Sequence, residues 1–410
     1  MNKSNIVLVG LKYDNNLGDQ AIFACMKRML SDCLGQLHAD LEIREMDMTG
    51  RKGLGYNPVL DELPAPLLRG IVRRSARVLG LKRLTAALVA YECRQAAAIQ
   101  CRQLCDENTK AILFAGGGII KYRYQNFHDY IVAVVSYAQQ HRIPVMISAA
   151  GVEGYDGGDR ACRRLKAALN SPYVKCITTR DDIRTLRELY CRGNDRVRTA
   201  LVADPACSMS LYFPRQRPTG EKVIGLGVVR EGLFTDNDID FGKEKMLRFW
   251  SDLYREIEAA GYRCQLFCNG AVSDQRFAQE LLEYMGIGDG DGSVLAERPT
   301  TAEMLADRIA GYSGVVAGRL HASIIAYAYG VPSVGLVWNE KQVLFGQAVG
   351  CEERFFRVEA FEPARIVQGL LAAMAEGYDE AAREAYRRTT AEEIRRFLQT
   401  VAEQQGSCDI

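Results

Sequence analysis

Residues Val315 to Gly346 read VVAGRLHASIIAYAYGVPSVGLVWNEKQVLFG, and the fold class is decided there. Val315, Val316 and Ala317 are a short apolar run ending at Gly318. Leu320 to Tyr329 has helical spacing, with Gly330 placed as a helix C-terminal signal and Pro332 as a stop. Ser333 to Trp338 is uncharged and rich in Val and Leu, the pattern of a strand buried on both faces. Strand, helix and strand in this order make a βαβ unit, which predicts two parallel neighbouring strands. Arg319 and His321 then leave the carboxyl end of the first strand and Lys341 leaves that of the second. Open parallel sheets bind ligands at that edge. The helix start after Gly318 aims free N–H groups and a positive dipole end at the same place. Two cations, an imidazole and a helix N-terminus describe a small-anion site. Taken singly, the same residues read as solvated cations and a structural histidine.

The length of 410 residues predicts two domains. An apolar fraction of 48% with 25% charged residues is ordinary for a globular chain, and a net charge of +1 gives no reason to invoke nucleic acid. The 13 cysteines are scattered without a C-x-x-C pair, so neither zinc nor any other metal is expected and a reducing compartment is. The start, MNKSNIVLVG, runs straight into a strand without a leader-like apolar region, and the expected location is cytoplasmic.

Outward from the βαβ unit the same alternation repeats. Asn5 to Gly10 is a buried strand feeding a loop in which Gly18 allows a tight turn and Asp19 occupies a helix N-cap position. The loop lacks G-x-G-x-x-G and the P-loop lysine, so a phosphate site and a plain capped helix both remain open. Leu63 to Tyr91 holds no acid and six bases interleaved with apolar residues, and helix continues to 106. Such a segment suits an anionic membrane surface or a pyrophosphate group; a solvated helix face is the plain alternative. Ala111 to Ala115 runs into Gly116-Gly117-Gly118, where the backbone either approaches a ligand closely or makes a tight crossover. Cys176 to Thr179 delivers Arg180 and Asp181, and Asp204-Pro205 marks a turn. A second series starts at Val223, whose strand delivers Arg230, and Thr300-x-x-Glu303 reads as a capping box. The expected organisation is an N-terminal Rossmann-like domain over 1–212 with a basic insertion at 63–106, a linker at 213–222, a C-terminal Rossmann-like domain over 223–362, and a helical segment over 363–410 packing back on the first domain.

These residues resemble the polysaccharide pyruvyl transferase family over most of the chain. The elements carrying the resemblance are Asn16-Leu-Gly-Asp19-Gln-Ala-Ile22, Gly116-Gly117-Gly118, Arg180-Asp181, Asp204-Pro205 and the distal block Arg319-Leu-His321, Gly330-Val-Pro332 and Lys341. The family commonly ends that block Tyr-Asp-Pro-Lys; here it reads Trp338-Asn339-Glu340-Lys341, keeping the lysine and changing the aromatic.

The resemblance implies a glycosyltransferase-B-like fold, two Rossmann-like domains facing a cleft. It also implies transfer of a pyruvyl group from phosphoenolpyruvate to two hydroxyls of a sugar, giving a ketal and phosphate, with no further cofactor. The acceptor would belong to a cell-surface glycan precursor, often lipid-linked, at the inner face of the membrane, where residues 63–91 could make a peripheral contact. Phosphoenolpyruvate is a compact polyanion, so Arg319, Lys341 and Arg230, with Arg180 from the other domain, are the expected donor ligands. His321 is the expected general acid/base, assisted by Arg319. Asn16, Asp19, Gln20, Gly116, Gly117 and Gly118 are assigned to acceptor binding or cleft shaping. Two other readings stand beside this one: a sugar-nucleotide-dependent glycosyltransferase of the same fold, and a non-catalytic scaffold in polysaccharide assembly.

Overall fold

A computed structural model of the chain describes residues 3–53, 71–72, 74–75, 81–123, 125–215, 222–288 and 292–405. Runs of uninterrupted apolar residues become fully buried strands, as expected where helices cover both faces of a parallel sheet. The strands of the first sheet are β1 (Asn5–Gly10), β2 (Glu42–Asp47), β3 (Thr109–Phe114), β4 (Gly117–Ile120), β5 (Val145–Val152), β6 (Val174–Thr179) and β7 (Arg198–Leu201), of which the two outer ones, β2 and β7, carry charged residues and stay partly exposed. Their order is β2-β1-β3-β5-β6-β7, with β4 paired to β5, and every pairing is parallel. Helices α1 (Leu17–Gln36), α2 (Lys82–Leu104), α3 (Phe127–Gln140) and α4 (Arg160–Leu169) supply the crossovers. Val7, Val9, Ile112, Phe114, Ile147 and Ile177 from the strands pack with Ile131, Val135 and Leu165 from the helices.

The second sheet contains β8 (Val223–Gly227), β9 (Arg263–Phe267), β10 (Gly314–Ala317), β11 (Ser333–Leu336) and β12 (Phe355–Phe356), in the order β12-β11-β10-β8-β9 and again all parallel. Around it lie α5 (Lys243–Ala259), α6 (Val272–Met285), α7 (Ala302–Ala310), α8 (Leu320–Ala328), α9 (Glu340–Ala348) and α10 (Pro363–Glu376), and a last helix, α11 (Glu380–Gln405), begins in this unit and passes into the first at Arg388. The predicted βαβ unit is β10-α8-β11, with Val315 beside Ser333 and Ala317 beside Gly335. Every residue of α8 from His321 to Ala328 is buried, which is why this helix carries no charge. From β8 the chain moves to β9 on one side and to β10 on the other, so the strand order reverses between β8 and β10. The crevice beyond their carboxyl ends is the switch point where such sheets take ligands.

Two compact units result. The first contains the chain up to Asp14, Ile22–Asp204 and everything from Arg388; the second contains Asn15–Ala21 and Pro205–Arg387. Composition put the change-over at 213–222, whereas the units part between Asp204 and Pro205. The reason is that Pro205–Ser208 is fully buried, and the following helical turn, Met209–Tyr212, leads to Phe213, whose carbonyl accepts the Tyr329 hydroxyl of the second unit (2.6 Å). The helical segment from 363 is likewise divided. Its α10 buries Ile366, Val367 and Leu370 in the second core, and only the later part of α11 joins the first unit. Of the acid-free stretch 63–91, residues 63–70, 73 and 76–80 lie outside the described residues. Among the described residues no helix is long and apolar enough to cross a membrane.

Candidate active site

The site is built on the second unit's switch point. The Gly318 amide donates to Gly227 O (2.8 Å), and a Cβ at Gly318 would lie 2.7 Å from that oxygen. The ends of β8 and β10 stay this close only because Gly318 has no side chain. The next residue, Arg319, precedes α8 in extended conformation (φ −111°, ψ 140°) and turns its guanidinium onto Asp274. Nε lies 2.5 Å from Oδ2 and Nη2 lies 2.8 Å from Oδ1, a bidentate fork. Asp274, 0% exposed in the first turn of α6, also accepts the Arg230 backbone N–H at 2.9 Å. One buried carboxylate thereby ties together the chain leaving β8, the chain leaving β10 and the helix after β9. Arg319 keeps 20% of its side chain exposed, so its outer edge can still reach a ligand.

His321 is the second residue of α8 and is 6% exposed. Its imidazole packs on Gly18, so closely that any Cβ at position 18 would overlap the ring. Leu17 N donates to Asn269 O (3.2 Å), just beyond β9, and the Leu17 side chain fills the space where a Cβ on Gly270 (φ +96°) would project. Residues Asn15–Ala21 therefore lie along the strand ends of the second sheet. This corrects the assignment of Asn16, Asp19 and Gln20 to the N-terminal domain: the first turn of α1 belongs with His321. It also corrects the cap. The helix starts at Leu17, so Asn16 is the capping residue, its Nδ2 bonded to Asp19 Oδ2 (2.9 Å) and its carbonyl accepting from Asp19 N (3.0 Å).

Lys341 is the second residue of α9, half-buried, after the turn that leaves β11. That turn is braced twice. Trp338 Nε1 donates to Gly318 O (2.7 Å), and the fully buried Gln342 accepts from Trp338 N (2.9 Å) while donating to Leu336 O (2.8 Å). The Trp338 indole thus holds the β11 turn to the residue before Arg319.

The structure brings Arg319, His321, Lys341 and the Arg230 backbone to one edge, but it does not bring every predicted donor ligand there. The Arg230 guanidinium folds back on its own loop, donating to Glu231 O (3.1 Å) and pairing with Asp236. Arg180 belongs to the first unit, where it forms a buried ion pair with Asp204. Its neighbour Asp181 holds backbone, accepting from Val152 N (2.9 Å) and Asp182 N (2.7 Å). The glycine cluster also has a local cause. Gly116 (φ +90°) and Gly117 (φ +87°) turn the chain from β3 into β4, and a Cβ on Gly116 would sit 2.9 Å from Ala149 O. Gly118 follows inside β4. Asp274 is a site residue that sequence reasoning missed, and Trp338 was noted only as a change of aromatic without the brace it makes. Asp274 carried one usable signal, an acid in the first turn of a helix that follows a strand ending in Asn269-Gly270.

Solved structures place this architecture. A UDP-GlcNAc 2-epimerase from Methanocaldococcus jannaschii superposes with a TM-score of 0.56 at 10% identity, covering 97% of this chain and 99% of that one. The UDP-GlcNAc 2-epimerase of Neisseria meningitidis, bound to UDP-GlcNAc, gives 0.52 at 10% identity over 98% and 100%. At that identity the likeness shows the fold alone: a glycosyltransferase-B-type pair of parallel α/β domains. No curated relative matches the chain. The model of one family, polysaccharide pyruvyl transferase, matches residues 16–340, from the asparagine that caps α1 to the first residue of the helix carrying Lys341. With most of its length matched, and with the matched span holding Arg319, His321 and the Asp274 that anchors the first of them, the chain belongs to the polysaccharide pyruvyl transferase family.

Proposed function

We propose that the protein transfers a pyruvyl group from phosphoenolpyruvate to two hydroxyls of a sugar in a cell-surface polysaccharide or its precursor. The observation that carries this reading is the edge of the second sheet. There a guanidinium pinned by a buried carboxylate and an imidazole in a helix first turn stand together in a member of this family. Phosphoenolpyruvate presents a carboxylate, a phosphate and a carbon that must be protonated. The outer edge of Arg319 suits bidentate carboxylate recognition, while the amides opening α8 and the Lys341 ammonium suit the phosphate. His321, as imidazolium, delivers a proton to the methylene carbon, and C2 becomes electrophilic. The first sugar hydroxyl adds to C2 and loses its proton to the imidazole. The second hydroxyl then replaces phosphate at C2, its proton leaving with the phosphate. The products are one ketal carrying a methyl and a carboxylate, and one inorganic phosphate. An acceptor carried on a lipid would bring the enzyme to the cytoplasmic face of the membrane.

The test is phosphate release from phosphoenolpyruvate in the presence of candidate sugar acceptors, with ketal formation followed by mass spectrometry. His321→Ala is expected to abolish release while leaving phosphoenolpyruvate binding, measured by calorimetry, close to the parent's. Near-normal turnover in that variant would overturn the role of His321. Release of a nucleoside diphosphate from a sugar nucleotide, with none of phosphate from phosphoenolpyruvate, would replace the reading with a glycosyltransferase.

A further inference from the structure

The first unit contains a second concentration of positive charge, remote in sequence from Arg319 and unused by the chemistry above. Where β6 and β7 begin, beneath the last turns of α11, lies a cavity of about 410 Å³. Four cations line it, Lys175, Arg196, Arg198 and Arg396, together with the polar Thr400 and Gln404, and among the described residues no carboxylate is in its wall. The nearest compensation is Glu393. It takes Arg198 in a bidentate fork (2.6 and 2.8 Å) and Arg396 Nη1 at 2.7 Å. One carboxylate is therefore shared by two guanidiniums, each still about half exposed. The same arginines hold the Glu393 carboxyl below its ordinary range, so it stays ionised and its single charge is already spent. Lys175 meets only the ring of its neighbour Tyr173, at 5.9 Å, and Arg196 makes no ion pair among the described residues. The thiol in the wall, Cys176, is pushed up to about 12 by burial, so it contributes no negative charge. Among the described residues, four cations against one carboxylate leave a surplus of three in a chain whose net charge is +1.

Like charges held this close repel, and surface arginines otherwise spread into solvent or pair singly. A site of this size, with forked and point-charge donors facing a common space, matches an anion of about three charges. We propose that this cavity is a binding site for a di- or triphosphate group, separate from the candidate active site. Lys175 and Arg196 are its unneutralised contacts, and Arg198 and Arg396 are held in place by Glu393.

The probe is inorganic triphosphate, titrated calorimetrically into the full chain at low salt. To keep the candidate active site out of the measurement, the same titration is run on Arg319→Gln/Lys341→Gln. Binding of one triphosphate per chain is expected in both proteins. It should weaken about tenfold or more for each cation removed in Lys175→Gln, Arg196→Gln and their double variant. Affinity should also fall steeply as salt rises. Arg196 is exposed, so its single variant keeps the fold and isolates the charge; a melting curve matching the parent's verifies this. Unchanged affinity in the Lys175 and Arg196 variants, or triphosphate binding that disappears only in Arg319→Gln/Lys341→Gln, would overturn the proposal. So would the absence of stoichiometric binding to the parent chain.

Discussion

At the scale of single residues the candidate site rests on two contacts that can each be broken by one substitution. Gly18 lies under His321 with no room for a methyl group, whereas Gly35, in the same helix, would meet nothing within 4 Å. Gly35→Ala should therefore behave as an ordinary helix substitution, neutral or stabilising by up to about 1 kcal/mol. Gly18→Ala must displace either the imidazole or the helix start, and should lower kcat at least about tenfold, since small misplacement of a reacting group is costly. Equal turnover in the two variants, measured side by side, would show that Gly18 does not position His321. Asp274→Asn tests the other contact. It keeps the shape but removes the charge that orients Arg319, so donor KM should rise about tenfold or more while the melting temperature falls. An unchanged KM would mean that Arg319 finds its geometry without the carboxylate. The difference in legibility between these residues is physical. Arg319 and His321 could be read because strand-end position and side-chain chemistry coincide in sequence. Asp274 is 45 positions from Arg319, and an acid in the first turn of a helix already has a local explanation in the helix dipole.

At the scale of elements, apolar runs and helix stop signals were enough to locate β10, α8 and β11, because each is buried on every side and its pattern has one physical cause. Departures occur where backbone geometry answers to a neighbour. β5 runs from Val145 to Val152 through an irregular register after Ile147. Ala149 sits there at φ +49° with its amide on Thr178 Oγ1 (2.7 Å), a conformation that no periodicity announces. The helix expected to be capped by Thr300 is capped by Thr301, whose side chain accepts from Met304 N (3.2 Å). Charge pairing across elements is equally silent in sequence. Glu393 on α11 meets Arg198 on β7 across nearly two hundred residues. Its folded carboxyl lies below the usual range, first because Arg198 bonds it, with burial opposing and Arg396 assisting. A carboxyl lowered on folding stabilises above its unfolded value of about 4.3 and loses that contribution as pH falls through the lower, folded value. Glu393→Gln should therefore cost about 1 kcal/mol or less near neutrality, given how exposed both arginines are. The gap between parent and variant in urea melts should close as the pH is lowered below 4. A gap that does not narrow at all as the pH falls below the unfolded value would assign the effect to packing instead of charge.

At the scale of the whole molecule, the two units unite segments distant in sequence, and this shapes how the chain can fail. The last helix is the clearest case. From Arg388 it belongs to the first unit, where Ile394, Phe397, Leu398 and Val401 are buried, Thr390 Oγ1 donates to Ala203 O (2.6 Å), and Ala203 N returns a bond to Thr389 Oγ1 (2.9 Å). Before that point the same helix serves the second unit, with Arg383 Nη1 on Tyr327 O (2.9 Å). Each buried apolar side chain is worth about 1.5–3 kcal/mol, so the four together contribute about 6–12 kcal/mol of gross burial. That equals the whole net stability of a typical domain, about 5–15 kcal/mol. A chain ending at Arg387 should therefore lose the first unit's fold while keeping the second unit's sheet. The measurement is amide hydrogen exchange followed by fragment mass spectrometry. In the shortened chain, amides of β1, β3 and β5 should exchange within the dead time, while those of β8, β10 and β11 keep hours-long protection. Equal loss in both sheets would show that the units are one cooperative body. Retained protection in the first sheet would show that its core is closed without α11.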